Sequence, residues 1–119
     1  MADVLRYDLL VRLRALREER KRLERRVLWP TQSLRGSLIE RHLGSGGVRR
    51  ERGAWYLSLR GVDGATRLRY VRREDLERVR AQVDAHRECR AAIRRLRELG
   101  AEVLEVLQDL ARQQQVDPP

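Results

Sequence analysis

The feature that most constrains the fold is the spacing of apolar residues, which changes twice along the chain. From about residue 3 to residue 29, apolar residues recur at gaps of three, four and seven, which is typical of one face of an amphipathic helix. The members of this row are Leu5, Leu9, Leu13, Leu16, Leu23 and Val27. Because Pro30 disfavours helical geometry at the residue before it, we expect the helix to stop near Leu28.

In the middle of the chain the spacing becomes two, which predicts β-strands. The alternating positions are Trp55, Leu57 and Leu59 against Tyr56, Ser58 and Arg60, and, after Gly61–Gly64, Leu68 and Tyr70 against Arg67, Arg69 and Val71. The glycines and Asp63 tolerate positive φ, so this segment is predicted to be a β-hairpin. Residues 38–43 would supply a third strand, although Ser37 and Glu40 also fit the capping box of a short helix. Residues 44–47 and the charged stretch that follows them are predicted to form a mobile loop.

The helical spacing returns from Arg73 onward. The apolar row comprises Leu76, Val79, Val83, Ile93, Leu96, Val103, Leu107 and Leu110. Gly100 interrupts the row and would either end the helix or only bend it. A hairpin is too small to cover so long a row, so the first helix is expected to pack along it, with coiled-coil dimerisation through the remainder.

These patterns predict an α+β protein. The segments are an N-terminal amphipathic helix over residues 1–29, a β-meander of two or three antiparallel strands over 34–72, and a long C-terminal helix over 73–112 that packs on the first. Whether that last helix breaks at residue 100 is left open, and residues 113–119 are expected to form a disordered tail.

Composition argues against an enzyme. Of 119 residues, 41% are hydrophobic and only 4% aromatic, with no Phe, which is too little for a large core with a deep pocket. One Cys and two His assemble no convincing nucleophile–base pair, and no cofactor is expected. His86 and Cys89 are three residues apart and His42 is the remaining histidine, but a structural zinc needs four ligands, so we expect core or boundary residues and no metal.

The location is expected to be cytoplasmic. No apolar run reaches the roughly 18 residues that a membrane span needs. The start of the chain lacks the order of a signal peptide. A single cysteine cannot form an internal disulfide, which suits a reducing compartment.

The charge is unevenly distributed. The chain has 27 Lys or Arg residues against 18 Asp or Glu, a formal charge of +9, which points to an anionic partner. Residues 98–119 hold five acids and one base, so the basic surplus lies entirely before them. Two basic groups lie on the helices (residues 17–26 and 87–97), and a third lies on the sheet and its loop.

The sheet group is the predicted nucleic-acid-binding site. If Trp55, Leu57, Leu59, Leu68 and Tyr70 face the helices, the opposite face is basic with one aromatic residue. Arginine binds phosphate oxygens and guanine edges, a small sheet fits the major groove, and a tyrosine beside arginines also suits stacking on single strands. The predicted site residues are Tyr56, Ser58, Arg60, Arg67 and Arg69, with Arg49, Arg50, Arg52, Arg72 and Arg73.

Each basic group also has an ordinary structural interpretation. Helical charges commonly form solvated faces with ion pairs three and four residues apart. Charged residues also protect the edges of sheets.

Three blocks of sequence resemble a known family. They are residues 36–41 (GSLIER), residues 53–60 (GAWYLSLR), and residues 66–71 (TRLRYV) with 74–80 (EDLERVR). Together they resemble a family of small uncharacterised bacterial proteins with a helix–β–helix pattern. That resemblance implies the same fold and a link with mobile-element genes. The family has a cysteine cluster between its first two strands, whereas residues 42–50 here contain no cysteine, so no zinc knuckle is carried over. The hairpin is also similar to the small DNA-reading sheets of tyrosine integrases, at the level of fold only.

The sequence therefore predicts a non-enzymatic nucleic-acid-binding accessory protein, a subunit of a larger nucleoprotein or mobile-element complex. Its binding is expected to be independent of base sequence, with DNA and RNA, single strand and duplex all left open. Its partners are nucleic acid and a second copy or another protein. The alternative is a helical adaptor or oligomerisation subunit, distinguished by Gly100 and the acidic residues Glu102, Glu105 and Asp109. Binding to an anionic membrane is a weaker third hypothesis, since Trp29 and Trp55 form no membrane-facing row.

Overall fold

The described part of the chain folds as two long helices and a three-stranded sheet. A computed structural model describes residues 2–29, 32–43 and 49–119, and their side chains except those of residues 2, 43 and 49–52. The elements are α1 (Ala2–Leu28), β1 (Ser37–Leu43), β2 (Arg49–Arg60), β3 (Thr66–Val71), a 3₁₀ turn (Arg73–Asp75) and α2 (Leu76–Gln113). The predicted α+β class, with the long C-terminal helix packing on the first helix, is confirmed.

The first helix ends where the proline predicts. Its last residue is Leu28, and the amide of Trp29 still donates to the carbonyl of Arg25 at 3.0 Å. Arg25 and Arg26 lie in the last turn, where positive charge interacts favourably with the helix dipole.

The strands form one antiparallel sheet in the order β1-β2-β3. Residues 37–43 are a strand, so the interpretation of Ser37 and Glu40 as a helix capping box was wrong. Residues 61–65 connect β2 to β3: the Gly61 amide donates to the Ala65 carbonyl at 2.8 Å, and Asp63 Oδ1 accepts from the Ala65 amide at 3.1 Å. Gly64 has a φ of 83°, which explains the need for glycine there. Residues 44–48 of the predicted loop lie outside the described residues. The charged stretch after them is not a loop, because the backbone of residues 49–52 already pairs as the start of β2, so this part of the prediction was wrong.

The register of this hairpin corrects one prediction. Val71 pairs with Trp55, Arg69 with Leu57 and Arg67 with Leu59, and residues paired across an antiparallel ladder share a face. Arg67 and Arg69 therefore lie on the side of the apolar core, and Leu68 and Tyr70 on the side of Tyr56, the reverse of what the alternation predicted. Val71 is buried instead, with only 8% of its surface exposed, whereas Tyr70 is 65% exposed.

The chain divides into two compact units, each with its own core. The helical unit comprises residues 1–29 and 89–119, and its core is built by Leu13, Leu16, Leu99, Val103 and Val106. The sheet unit comprises residues 30–88, and its core is built by Leu57, Val71, Val79 and Val83. α2 therefore contributes its first part to the core of the sheet unit and its second part to the core of the helical unit.

α2 runs without a break through Gly100 to Gln113. Of the two alternatives that the sequence left open, the one in which Gly100 ends the helix is therefore wrong. Beyond it, the amides of Gln114 and Gln115 donate to the carbonyls of Ala111 and Arg112, and no regular element follows. The disorder expected for this tail stays a prediction.

Candidate nucleic-acid interface

The sheet has one face packed on α2 and one open face. Leu57 packs with Val79 and Val83 of α2 on the first. The residues on the other side, which we call the open face, follow from the pairing register. They are Ser37, Ile39 and Arg41 of β1, Ala54, Tyr56, Ser58 and Arg60 of β2, and Thr66, Leu68 and Tyr70 of β3.

Two tyrosines form the centre of the open face. Tyr56 of the central strand pairs with Tyr70, and their ring centroids lie 5.8 Å apart at an interplanar angle of 69°, an edge-to-face contact. The ring of Tyr56 is half-buried by its neighbours, whereas 65% of Tyr70 is exposed. The second ring therefore offers its surface to a flat ligand.

Arginines flank this pair. The guanidinium carbon of Arg41 lies 5.9 Å from the centroid of the Tyr56 ring, within the range of a cation–π contact. Arg60 is exposed further along β2, and its carbonyl accepts a 3.0 Å hydrogen bond from Arg35 Nη2. Among the strand residues whose side chains are described, none on the open face is acidic. The face thus combines aromatic rings with positive charge.

The structure separates the predicted site residues. Tyr56, Ser58 and Arg60 share the open face as predicted. Arg67 and Arg69 are exposed but lie on the other side of β3.

Arg72 and Arg73 follow β3 and are exposed, and Arg72 Nη1 lies 3.5 Å from Glu74 Oε1. The backbone of β2 includes Arg49, Arg50 and Arg52, but the side chains of these three residues are not described.

The predicted site did not include two members of the face, Arg41 and Tyr70, although Arg41 belongs to the basic group of the sheet. For Tyr70 the sequence contains one signal, which is Val71. This β-branched residue at the end of the strand is as suitable for the core as Leu68 or Tyr70, and its burial places Tyr70 on the opposite face. Arg80 was also missed: its guanidinium lies 5.1 Å from the centroid of the Trp55 ring, on the packed side of the sheet. No periodicity in the sequence shows that pair, since the two residues meet only in the folded chain.

Several of the helical arginines and the one lysine are engaged in ion pairs. Arg95 Nε and Nη2 donate to the two carboxylate oxygens of Glu19 at 2.9 and 3.0 Å, and its Nη1 donates to Glu98 at 3.1 Å. These bonds lower the pKa of Glu19 and raise that of Arg95, because they favour both charged forms. Arg20 pairs with Glu24 at 2.9 Å, and Lys21 with Glu18 at 3.6 Å. For Arg20 and Lys21 the ordinary interpretation of a solvated face with ion pairs along one helix applies, whereas the Arg95 contact joins α2 to α1.

The suggested metal ligands do not assemble. His42 Nε2 lies 3.0 Å from Glu40 Oε1 on β1, whereas His86 and the free thiol of Cys89 are half-buried on α2. Within residues 2–29, 32–43 and 49–119, no three His, Cys, Asp or Glu side chains come together as metal ligands would. Neither of the helices in that same part of the chain is long and apolar enough to span a bilayer.

Comparisons of the chain with protein-family models, with curated proteins and with solved structures found no match. The open face of the sheet is therefore the feature of the chain from which a function can be inferred.

Proposed function

We propose that the chain is a non-enzymatic, cytoplasmic nucleic-acid-binding accessory protein that uses the open face of its sheet, as a subunit of a larger nucleoprotein complex. The observation that carries this proposal is the edge-to-face pair of Tyr56 and Tyr70, with Arg41 5.9 Å from the first ring. The mobile-element link rests only on the family resemblance, and it belongs to the same proposal.

Single strands are the form of nucleic acid that this face suits best. An exposed ring such as that of Tyr70 stacks on unpaired bases whatever their identity, and arginines neutralise the phosphates between them. In a duplex the base faces are already stacked on each other, so the rings would contribute less. Since neither stacking nor phosphate contacts read base edges, binding should show little sequence preference.

The test is a fluorescence-anisotropy titration of the full chain with a single-stranded oligonucleotide, its duplex and a structured RNA at two salt concentrations. We expect the single strand to bind most tightly and the affinity to fall steeply with salt, because phosphate contacts release counterions. Equal binding to all three ligands that higher salt abolishes would indicate nonspecific charge and overturn the proposal. A preference for the duplex would indicate instead that the sheet binds in a groove of the double helix.

Two matched pairs of variants locate the site. Tyr70→Ala should weaken single-strand binding by about 1–3 kcal/mol, roughly 5- to 150-fold, whereas Tyr70→Phe keeps the ring and should bind nearly as the parent does. Arg41→Ala should weaken binding more than Arg67→Ala, although both remove one positive charge, because the two residues lie on opposite faces of the sheet. Equal effects of the two arginine variants would mean that the open face is not where nucleic acid binds.

A second candidate function is a helical adaptor that binds a protein partner. It is favoured by exposed apolar residues on α1: Val4, Tyr7 and Val11 follow one another at helical spacing and are 64%, 67% and 51% exposed. If no nucleic acid binds at either salt concentration, this candidate becomes the leading one.

A further inference from the structure

α2 carries a second apolar row, whose members do not belong to the core of the helical unit. Its members are Cys89, Ile93, Leu96, Gly100, Leu104, Leu107 and Ala111. Gly100, Leu104 and Leu107 each follow a core residue by one position, so the row is turned from the core by about 100° around the helix. Ile93, Leu104 and Leu107 are 40%, 60% and 39% exposed, which is a substantial apolar surface for a small unit.

The row is symmetric about Gly100. Leu96 and Leu104 lie four residues on either side, Ile93 and Leu107 seven, and Cys89 and Ala111 eleven. A two-fold contact between identical helices running antiparallel requires this property, because each residue then faces the one at the mirror position in the other copy. At the centre, a Cβ built on Gly100 would meet nothing within 4 Å, so two backbones have room to approach closely there.

The charges along the helix favour the same arrangement. Residues 89–97 contain four arginines and no acid, and one of these, Arg95, is already bonded to Glu19. The mirror segment, residues 103–111, contains Glu105 and Asp109 and no base. An antiparallel pair therefore places the basic segment of each copy along the acidic segment of the other, whereas a parallel pair would place like charges together.

We propose that the occupant of this row is a second copy of the chain, with two α2 helices packed antiparallel around a two-fold axis at Gly100. This self-association goes beyond nucleic-acid binding and is measurable without any nucleic acid.

The first experiment measures the mass of the nuclease-treated full chain by size exclusion with light scattering over a range of concentrations. The expected mass is twice the 14.0 kDa of one chain. Leu104→Glu should raise the dimer dissociation constant by about 100-fold or more, because it buries an unpaired charge in the contact. The matched control is Leu28→Glu, the same change at a residue of α1 that is 79% exposed, and it should stay dimeric. A single-chain mass for the parent at all concentrations would overturn the proposal.

The second experiment fixes the direction of the helices through Cys89. In the antiparallel pair Cys89 faces position 111 of the other copy, so Ala111→Cys should form an intermolecular disulfide under mild oxidation. The two native Cys89 thiols would lie about 33 Å apart, 22 residues at 1.5 Å each, and should not cross-link. Removing Cys89 from the variant, as Ala111→Cys with Cys89→Ser, should abolish the cross-link. Efficient cross-linking of the parent chain through Cys89 alone would show a parallel pair and overturn the antiparallel geometry.

Discussion

At the scale of single residues, one guanidinium, that of Arg95, contacts three carboxylates of the helical unit. Glu19 of α1 accepts both hydrogen bonds of a bidentate contact from Arg95 of α2, which is the geometry that makes arginine–carboxylate pairs specific. Arg95 also contacts Glu98 at 3.1 Å and Glu102 at 3.6 Å. The pair therefore adds a directional contact between α1 and α2 to the apolar packing of Leu13 and Leu16 on Leu99.

The first prediction concerns the pH dependence of this pair. The pKa of Glu19 is lowered in the folded chain, so its contribution to stability is present above its ordinary pKa and is lost as the pH falls through the lowered value. Glu19→Gln should therefore lower the Tm at neutral pH, and the difference from the parent should narrow on acidification. Thermal unfolding followed by circular dichroism over a pH series measures this. Glu18→Gln is the control, since among the described side chains its carboxylate has only the 3.6 Å contact to Lys21, and a Tm loss as large as that of Glu19→Gln would refute the assignment.

The second prediction tests which side chains of β3 lie in the core. Val71→Ala should destabilise the fold by about 1–3 kcal/mol, because Val71 is 8% exposed and packs against the core of the sheet unit. Leu68→Ala removes more atoms but from the open face, where the residue is 37% exposed, and should cost less than about 1 kcal/mol. Urea unfolding of both variants decides between them, and the reverse order would restore the face assignment that the alternation suggested.

At the scale of elements, the spacing of apolar residues predicted the helices and strands. It did not predict which face of β3 packs on the core. The end of α1 before Pro30 and the strands around Tyr56 and Leu68 follow from local spacing and turn residues. The face of β3 does not, because Leu68 and Tyr70 on one side and Val71 on the other are all suitable for burial. The five residues between Arg60 and Thr66 set the register, and a shift of one residue reverses every side chain of the strand.

Contacts between distant elements were equally beyond a sequence pattern. Arg95 belongs to a basic run that reads as a solvated face, yet its guanidinium is the hub of an ion-pair network. Arg80 lies against Trp55, although both residues sit in segments with unrelated periods. Such pairs depend on tertiary distances, which neither propensity nor charge patterning contains.

At the scale of the whole molecule, a single helix serves two separate cores. Residues 76–88 of α2 belong to the sheet unit, and residues 89–113 belong to the helical unit, with no loop between them. Cores of this kind open as distinct cooperative units in many proteins. The helix should then show two levels of protection against hydrogen exchange along its length.

The third prediction makes this measurable. Leu99 is fully buried in the helical unit, so Leu99→Ala should cost about 2–5 kcal/mol there. Amide exchange should accelerate over α1 and residues 89–113 more than over the strands. Leu57→Ala, in the core of the sheet unit, should give the opposite pattern. Equal acceleration everywhere in both variants would mean that the two cores unfold as one.

The arginines on the packed side of β3 have a consequence for the behaviour of the protein at high concentration. β3 is an edge strand, and Arg67 and Arg69 pair with Leu59 and Leu57 beside the apolar core. Charged side chains that point inward on an edge strand hinder its pairing with the strand of another molecule. Replacing both with threonine, which favours strands but is uncharged, should leave the fold intact while increasing light scattering on prolonged incubation. Part of the positive charge of this chain would then serve to keep its molecules from joining into a continuous sheet.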